Sequence, residues 1–261
     1  MTEGSIRTEV LDERVAVITI DRPEKRNALT TGMVASLTQA FQVYDTDPEI
    51  RCIVLTGAGD NAFCAGHDIK AITPTDRGHL YEEAHMQVFF APRDTSKPVI
   101  AAINGSAYAG GFCLALNCDL RIATPEASFA IPAARLGIVP IAGQSARLPH
   151  LLPSAIVTEM VMLGKPLTSQ RAEHFGFLNA IVPQADLLDH AVEMAREIST
   201  LSAVTTRSYK RIMQTTLFEN VPAADAMEYW LAMAAGQGPD LAEGLAAFAE
   251  RRPPAFGPAL R

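Results

Sequence analysis

The sequence predicts an α/β fold with crossover connections, followed by a helical C-terminal region. Runs of β-branched residues typical of strands alternate with segments whose apolar residues recur at helical spacing. Of the 261 residues, 48% are hydrophobic and 20% are charged, a composition that supports a sizeable core. We predict an α/β core over residues 1–190. The alanine-rich helical region over residues 191–261 is expected to complete its burial against other subunits.

The first half of the core is predicted from strand runs and helix caps. Residues 15–20 form a β-branched strand that pairs with residues 6–10. Thr30 or Thr31 caps a helix that continues to about Tyr44, and its apolar side chains share one face. The remaining predicted elements are a buried strand over 52–56, a loop over 57–66 and a helix within 79–91.

The second half continues the alternation of strands and helices. Residues 99–103 read as another buried strand, and a short apolar helix begins at Gly110 or Gly111 and ends near Cys118. Asp186 is predicted to cap a further helix. The other predicted elements are strands over 120–123, 128–131 and 179–182, and helices that begin at Ser154 and at Ser169 or Gln170.

Charge and cysteine usage exclude several classes of protein. The formal net charge is −7 and the lysines and arginines do not cluster, so we expect no nucleic-acid partner. The four cysteines form no C-x-x-C pair and the six histidines show no metal spacing, which predicts reduced thiols, a cytoplasmic location and no metal. The uncharged stretch over 98–118 is interrupted by glycine and asparagine, so we expect no membrane span.

Two glycine motifs suggest other enzyme classes. Gly57-Ala58-Gly59 follows a strand and resembles a dinucleotide-binding fingerprint, so an NAD-dependent dehydrogenase is an alternative. That fingerprint needs a helix to open at once, and residues 61–66 are poor helix formers. Gly143-Gln144-Ser145 half matches a serine-hydrolase elbow but lacks its final glycine and a preceding strand, so we interpret it as a helix start.

Two junctions crowded with small residues carry more information. They lie at residues 63–70 and 101–112. Small residues allow a ligand to approach the backbone closely, and N–H groups at helix starts have no partner within the helix. Two such junctions that face each other could hold a carbonyl oxygen as it gains negative charge. Tight turns with close helix packing are the structural alternative.

Segments in a specific order and spacing identify a family resemblance over nearly the whole chain. The chain resembles the crotonase, or enoyl-CoA hydratase/isomerase, family. The resemblance implies a spiral of ββα units with a helical trimerisation region, assembled as a homotrimer or a dimer of trimers. The matching segments are Arg26-Asn27-Ala28-Leu29, Phe63-Cys64-Ala65-Gly66-x-Asp68-Ile69-Lys70, Lys97 to Gly105, Ala109-Gly110-Gly111, Cys118-Asp119 and Leu136-Gly137-Ile138-Val139-Pro140.

The resemblance also implies a substrate and site residues. The ligand is an acyl-CoA thioester, with coenzyme A as part of the substrate and no other cofactor. The oxyanion hole falls on the backbone N–H groups of His67 and Gly110. The positions implied for CoA binding are Lys25, Arg26, Ala28, Ala65, Asp68 and Ile69. Solvated turn charges at Lys25 and Arg26, and a helix cap at Asp68, are the alternatives.

The chain departs from the family pattern at the two glutamates that hydratases use as acid and base. Cys113 and Ala133 stand at those positions. Segments over 136–162 and 247–252 resemble carnitinyl-CoA dehydratases, whereas Ala65-Gly66-His67-Asp68-Ile69 resembles methylmalonyl-CoA decarboxylase. We therefore expect a family member that binds acyl-CoA and stabilises a thioester enolate. A malonyl-type decarboxylase and a non-catalytic acyl-CoA carrier or sensor are the alternatives.

Overall fold

Two sheets with helices packed against them form the described part of the molecule. A computed structural model describes residues 4–11, 14–68, 83–218, 233, 236–252 and 254. The strands are β1 (Ser5–Leu11), β2 (Val15–Asp21), β3 (Cys52–Gly57), β4 (Ala62–Cys64), β5 (Val99–Ile103), β6 (Ser106–Tyr108), β7 (Leu120–Ala123), β8 (Ser128–Ala130), β9 (Leu167–Thr168) and β10 (Ala180–Ile181). The helices are α1 (Thr31–Thr46), α2 (Glu83–Asp94), α3 (Gly110–Asn117), α4 (Ser154–Met162), α5 (Ser169–His174), α6 (Leu187–Thr200), α7 (Ala203–Phe218) and α8 (Pro239–Glu250).

The larger sheet has six strands in the order β1-β2-β3-β5-β7-β10. The hairpin strands β1 and β2 are antiparallel, and the other neighbours are parallel. A smaller sheet has the order β4-β6-β8-β9, with only the last pair antiparallel. From β3 to β8 the chain therefore alternates between the sheets, with one strand in each before the next helix. This is the predicted ββα repeat.

Both faces of the central strands of the larger sheet are covered, as their continuous apolar sequences require. Alternate side chains of β2, β3 and β5 pack towards α1, α2 and α3, while the intervening ones pack against α6. Helix α1 confirms the predicted cap, because the Thr30 side chain accepts a hydrogen bond from the backbone N–H of Met33. Its predicted apolar face is buried in the core.

Several local predictions are corrected by the structure. The segment over 57–66, predicted as a loop, contains β4, and no helix opens there as a dinucleotide-binding fingerprint would need. Residues 142–147 form turns rather than a helix start. Asp186 ends a short 3-10 helix, and its side chain makes no capping hydrogen bond to α6.

The predicted boundary at residue 190 falls within α6. Leu187, Ala191 and Ala195 of this helix pack on the larger sheet, so the packing of the α/β core continues past residue 190. The oligomerising role of residues 191–261 stays a prediction. No helix in the described part of the chain has both the length and the apolar character needed to cross a bilayer.

Candidate active site

The two glycine-rich junctions contact each other at Gly66 and Gly110. A Cβ placed on Gly66 would lie 2.8 Å from the Gly110 nitrogen, and Gly66 has a φ of +90°. A Cβ on Gly111 would overlap the carbonyl oxygen of Cys64. The start of α3 therefore packs directly on the backbone that leaves β4, and only glycine fits these positions.

A cleft opens beside this contact. It brings together the predicted positions from both junctions and from the short helix Pro132–Leu136. The predicted site residues that line it are Ala65, His67, Gly110, Cys113 and Ala133. The positions predicted for the oxyanion hole and for the missing glutamates thus share one cleft.

The described lining of the cleft is predominantly apolar. It contains no aspartate or glutamate, and its titratable side chains are His67 and Cys113. The His67 ring meets Phe89 edge-on, with centroids 5.0 Å apart. The Cys113 sulfur lies 3.6 Å from the carbonyl oxygen of Ile141. The described lining can bury an acyl chain, but none of its residues is a carboxylate for acid–base catalysis.

The Gly110 N–H belongs to the first turn of α3, where backbone N–H groups have no acceptor within the helix. The preceding Ala109 has a φ of 49° and a ψ of −121°. Its N–H donates to the carbonyl oxygen of Ala130 at 3.0 Å. Strand β8 therefore fixes the residue that orients the first peptide of α3.

The segment predicted to bind the CoA nucleotide docks on the first junction. The Ala65 N–H donates to the Arg26 carbonyl oxygen at 3.0 Å, and the Asp68 N–H donates to the Leu29 carbonyl oxygen at 3.0 Å. Lys25 and Arg26 are exposed, whereas Ala28 is buried. The turn thus presents two cations beside the junction that leads to His67.

Asp68 forms an ion pair with Arg22, with the carboxylate oxygen 2.7 Å from the guanidinium nitrogen. The same nitrogen donates to the Ala28 carbonyl oxygen at 3.2 Å. Asp68 therefore ties the turn to the junction. Ile69, the remaining predicted position, lies outside the described residues. The roles of this group in CoA binding stay predictions.

Sequence reasoning missed three contributions to the cleft. Met86 and Phe89 come from α2, Leu241 and Leu245 come from α8, and Gln144 comes from the turn after Ile141. The two pairs are spaced at i, i+3 and i, i+4, which signals a shared helix face. That spacing does not say which surface the face covers.

Comparison with known proteins places this chain in a family. The sequence profile described as enoyl-CoA hydratase/isomerase matches residues 11–258. The chain belongs to the enoyl-CoA hydratase/isomerase family. The predicted resemblance and the crotonase-type fold are thereby confirmed.

Individual members of the enoyl-CoA hydratase/isomerase family agree with this assignment. Carnitinyl-CoA dehydratase from Escherichia coli K12 is 38% identical over 250 residues, which cover 92% of this chain and 93% of the relative. The crystal structure of carnitinyl-CoA hydratase from Mycobacterium avium has 32% identity and a TM-score of 0.86, covering 96% and 97% of the two chains. An enoyl-CoA hydratase/isomerase structure from Pseudoalteromonas atlantica T6c has 28% identity and a TM-score of 0.88, covering 97% and 99%.

Proposed function

We propose that the protein binds an acyl-CoA thioester in the cleft and stabilises its enolate. The thioester oxygen accepts hydrogen bonds from the backbone N–H groups of His67 and Gly110. The contact between Gly66 and Gly110 carries this proposal, because it brings both junctions to one place in the cleft. The names of the similar proteins, carnitinyl-CoA dehydratase and hydratase, support a CoA thioester as the ligand.

The proposed stabilisation of the enolate depends on which substrate atom gains negative charge. As the substrate becomes an enolate, negative charge accumulates on the thioester oxygen. Backbone donors already aimed at that oxygen need no reorganisation, and the apolar lining strengthens their effect. Loss of one such donor costs roughly 10²–10³-fold in rate in other enzymes.

The lining limits which enolate reactions are fast. Hydration needs an activated water and a proton for Cα, which glutamates supply in the family's hydratases. Cys113 and Ala133, which line the cleft, stand at the positions predicted for those glutamates. Because general acid–base groups contribute about 10²–10⁴-fold each, we expect slow hydration of crotonyl-CoA.

Decarboxylation is the second candidate, and the apolar lining favours it. In a malonyl-type thioester the bond to the carboxylate breaks, CO₂ leaves, and its electron pair forms the enolate, which then takes a proton from solvent. An apolar cleft disfavours the carboxylate relative to neutral CO₂. A non-catalytic acyl-CoA carrier is the third candidate, since the same cleft can bind a thioester without turning it over.

Binding is tested by thermal shift with acyl-CoAs of several chain lengths. A ligand at about 100 times its Kd stabilises the fold by about 2.7 kcal/mol. Gly110→Ala should weaken binding, because its Cβ would lie 2.5 Å from the Phe89 ring. Gly32→Ala on α1 is the matched control, since its Cβ meets nothing closer than 3.9 Å. A folded protein that no acyl-CoA stabilises would contradict the proposal.

The reaction is tested by incubating the protein separately with crotonyl-CoA, malonyl-CoA and methylmalonyl-CoA. Products are followed by chromatography against Gly110→Ala and buffer. Consumption of a malonyl-type thioester that the variant slows supports the decarboxylase. Tight binding with no consumption of any substrate supports the carrier.

A further inference from the structure

Gln144 is a buried amide in a predominantly apolar cleft. Its side chain is 4% exposed and belongs to the lining. Its Nε2 donates a 2.9 Å hydrogen bond to the carbonyl oxygen of Ala109. Ala109 and Gly110 share one planar peptide group. The oxygen that Gln144 binds and the N–H assigned to the oxyanion are therefore opposite ends of one dipole.

The Ala109 backbone conformation needs support from its surroundings. A φ of 49° is disfavoured for a residue with a Cβ and persists only where neighbouring groups hold it. The Ala109 carbonyl oxygen accepts two hydrogen bonds, from Gln144 and from the Cys113 N–H at 3.1 Å. The bond from Cys113 belongs to the helix itself, so among the described residues Gln144 is the side chain that fixes the orientation of this peptide.

The loop that carries Gln144 is itself held on α3. Ala142 and Gly143 both have positive φ, at 54° and 94°, and this turn precedes Gln144 directly. Asn117, at the end of α3, donates to the Ala142 carbonyl oxygen at 3.2 Å. The loop thus contacts both ends of α3, and the Gln144 amide is restrained at the first of them.

We propose that Gln144 is a positioning residue that orients and polarises the Ala109–Gly110 peptide for oxyanion stabilisation. A hydrogen bond to a peptide oxygen increases the polarisation of the whole group, so the Gly110 N–H becomes a stronger donor. The inference rests on the proposed function, because it assigns Gln144 an effect on the thioester oxygen through Gly110.

The test uses the absorbance of a bound aryl-enoyl thioester, a cinnamoyl-CoA with an electron-donating para substituent. Polarisation of its carbonyl shifts the absorbance to longer wavelength. Gln144→Met keeps the length of the side chain but removes the donor. The matched control is Gln170→Met, because the exposed Gln170 also donates through Nε2 to a carbonyl oxygen, that of Pro125 at 3.0 Å.

We expect a red shift in the wild type and in Gln170→Met, and a smaller shift in Gln144→Met at saturating ligand. Affinity should fall roughly tenfold in Gln144→Met, the size of one hydrogen bond. The urea midpoint without ligand should fall below that of Gln170→Met, because the disfavoured Ala109 conformation loses one of its supports. A purely structural role would move the midpoint without changing the spectrum of the bound thioester.

Gln144→Glu gives a second, independent readout and preserves the size of the side chain. A protonated carboxyl at this position can donate to the Ala109 oxygen, whereas a carboxylate cannot and repels it. The red shift of this variant should therefore fall as the pH rises through the carboxyl pKa. His67 and Cys113 share the cleft and Arg147 lies on the same turn, so the wild type over the same pH range is the reference.

The outcomes separate the two proposals. If the wild type binds the thioester without a red shift, or does not bind it, the proposed oxyanion hole is contradicted. The inference about Gln144 is then contradicted as well. If the wild type shifts the spectrum and both Gln144 variants retain the full shift at every pH, only the role of Gln144 is overturned.

Discussion

Cys113 and Ala133 face the cleft from different elements, α3 and the short helix Pro132–Leu136. Both residues are buried, with Cys113 3% exposed and Ala133 5% exposed. Neither side chain carries a charge that could repel an anionic acyl group. The proposed function therefore predicts that this pair limits which proton transfers the cleft can support.

Restoring both carboxylates should restore hydration. We expect Cys113→Glu with Ala133→Glu to raise the rate of crotonyl-CoA hydration by at least roughly 10²-fold, because each group supplies acid–base catalysis. The rate is measured by loss of the enoyl-thioester absorbance. Cys113→Gln with Ala133→Gln is the matched control, with the same size and no titratable group. A wild type already as fast as the glutamate variant would show that another residue provides the proton.

Helix α7 is attached to the core by a buried lysine. The Lys210 ammonium donates to the carbonyl oxygens of Pro92 and Lys97, both at 2.8 Å, and pairs with Asp119 at 2.8 Å. Its side chain is 6% exposed. One residue thus joins the end of α2, the start of β5 and the turn before β7 to the helix that follows α6.

Lys210→Met should destabilise the fold by about 3 kcal/mol, because it removes the cation paired with Asp119 and the donor to two carbonyl oxygens. The measurement is urea unfolding followed by circular dichroism. Lys165→Met is the control, since the exposed Lys165 lies 3.8 Å from Glu159 and such surface pairs contribute about 0–1 kcal/mol. Equal losses in the two variants would contradict an anchoring role for Lys210.

The end of α1 is joined to the segment before β5 by Asp45. Its carboxylate accepts hydrogen bonds from the Thr95 hydroxyl at 2.8 Å and from the Ser96 N–H and hydroxyl at 2.7 Å. Partial burial raises the pKa of Asp45, but these hydrogen bonds lower it by more, so its pKa lies below the ordinary value of 3.8. The folded state therefore favours the ionised carboxylate.

This shift predicts a pH-dependent contribution to stability. The contribution of Asp45 is complete above its ordinary pKa and is lost as the pH falls through the lower pKa of the folded state. The difference in unfolding free energy between the wild type and Asp45→Asn should therefore narrow below about pH 4. Urea titrations of both proteins over a series of acidic pH values measure this difference. A difference that is constant with pH would refute the ionic contribution.

At the scale of the whole molecule, α7 carries large apolar side chains that the single chain leaves exposed. Val204 is 76% exposed, Tyr209 62% and Ile212 61%. Exposed apolar groups on one helix are typical of surfaces that pack against another chain. They agree with the predicted role of the C-terminal region in assembly.

We expect a homotrimer or a dimer of trimers in solution, measured by light scattering on a size-exclusion peak. Val204→Glu with Ile212→Glu should shift the protein towards smaller species, because charged groups are costly to bury at an interface. Val43→Glu is the control, since Val43 is 53% exposed on α1. If the wild type is a monomer at micromolar concentration, the predicted oligomer is contradicted.

Elements with a strong local pattern could be predicted from the sequence. The β-branched run of β2, the continuous apolar runs of β3 and β5, and the threonine cap of α1 each act within a few residues. The small strands β4, β6 and β9 were missed because two or three residues carry no period. They exist as strands only through pairing with distant parts of the chain.

The features of the site also fall into two groups, those that could be predicted from the sequence and those that only the tertiary structure shows. Motif spacing identified the family and the two glycine junctions, and it predicted that positions 113 and 133 lack the carboxylates of the hydratases. Only the tertiary structure showed that Gly66 contacts Gly110, that leucines of α8 close the cleft, and that Gln144 binds Ala109. Periodicity and caps depend on neighbours along the chain. The contacts that shape the cleft depend on strand pairing and helix packing between segments far apart in sequence.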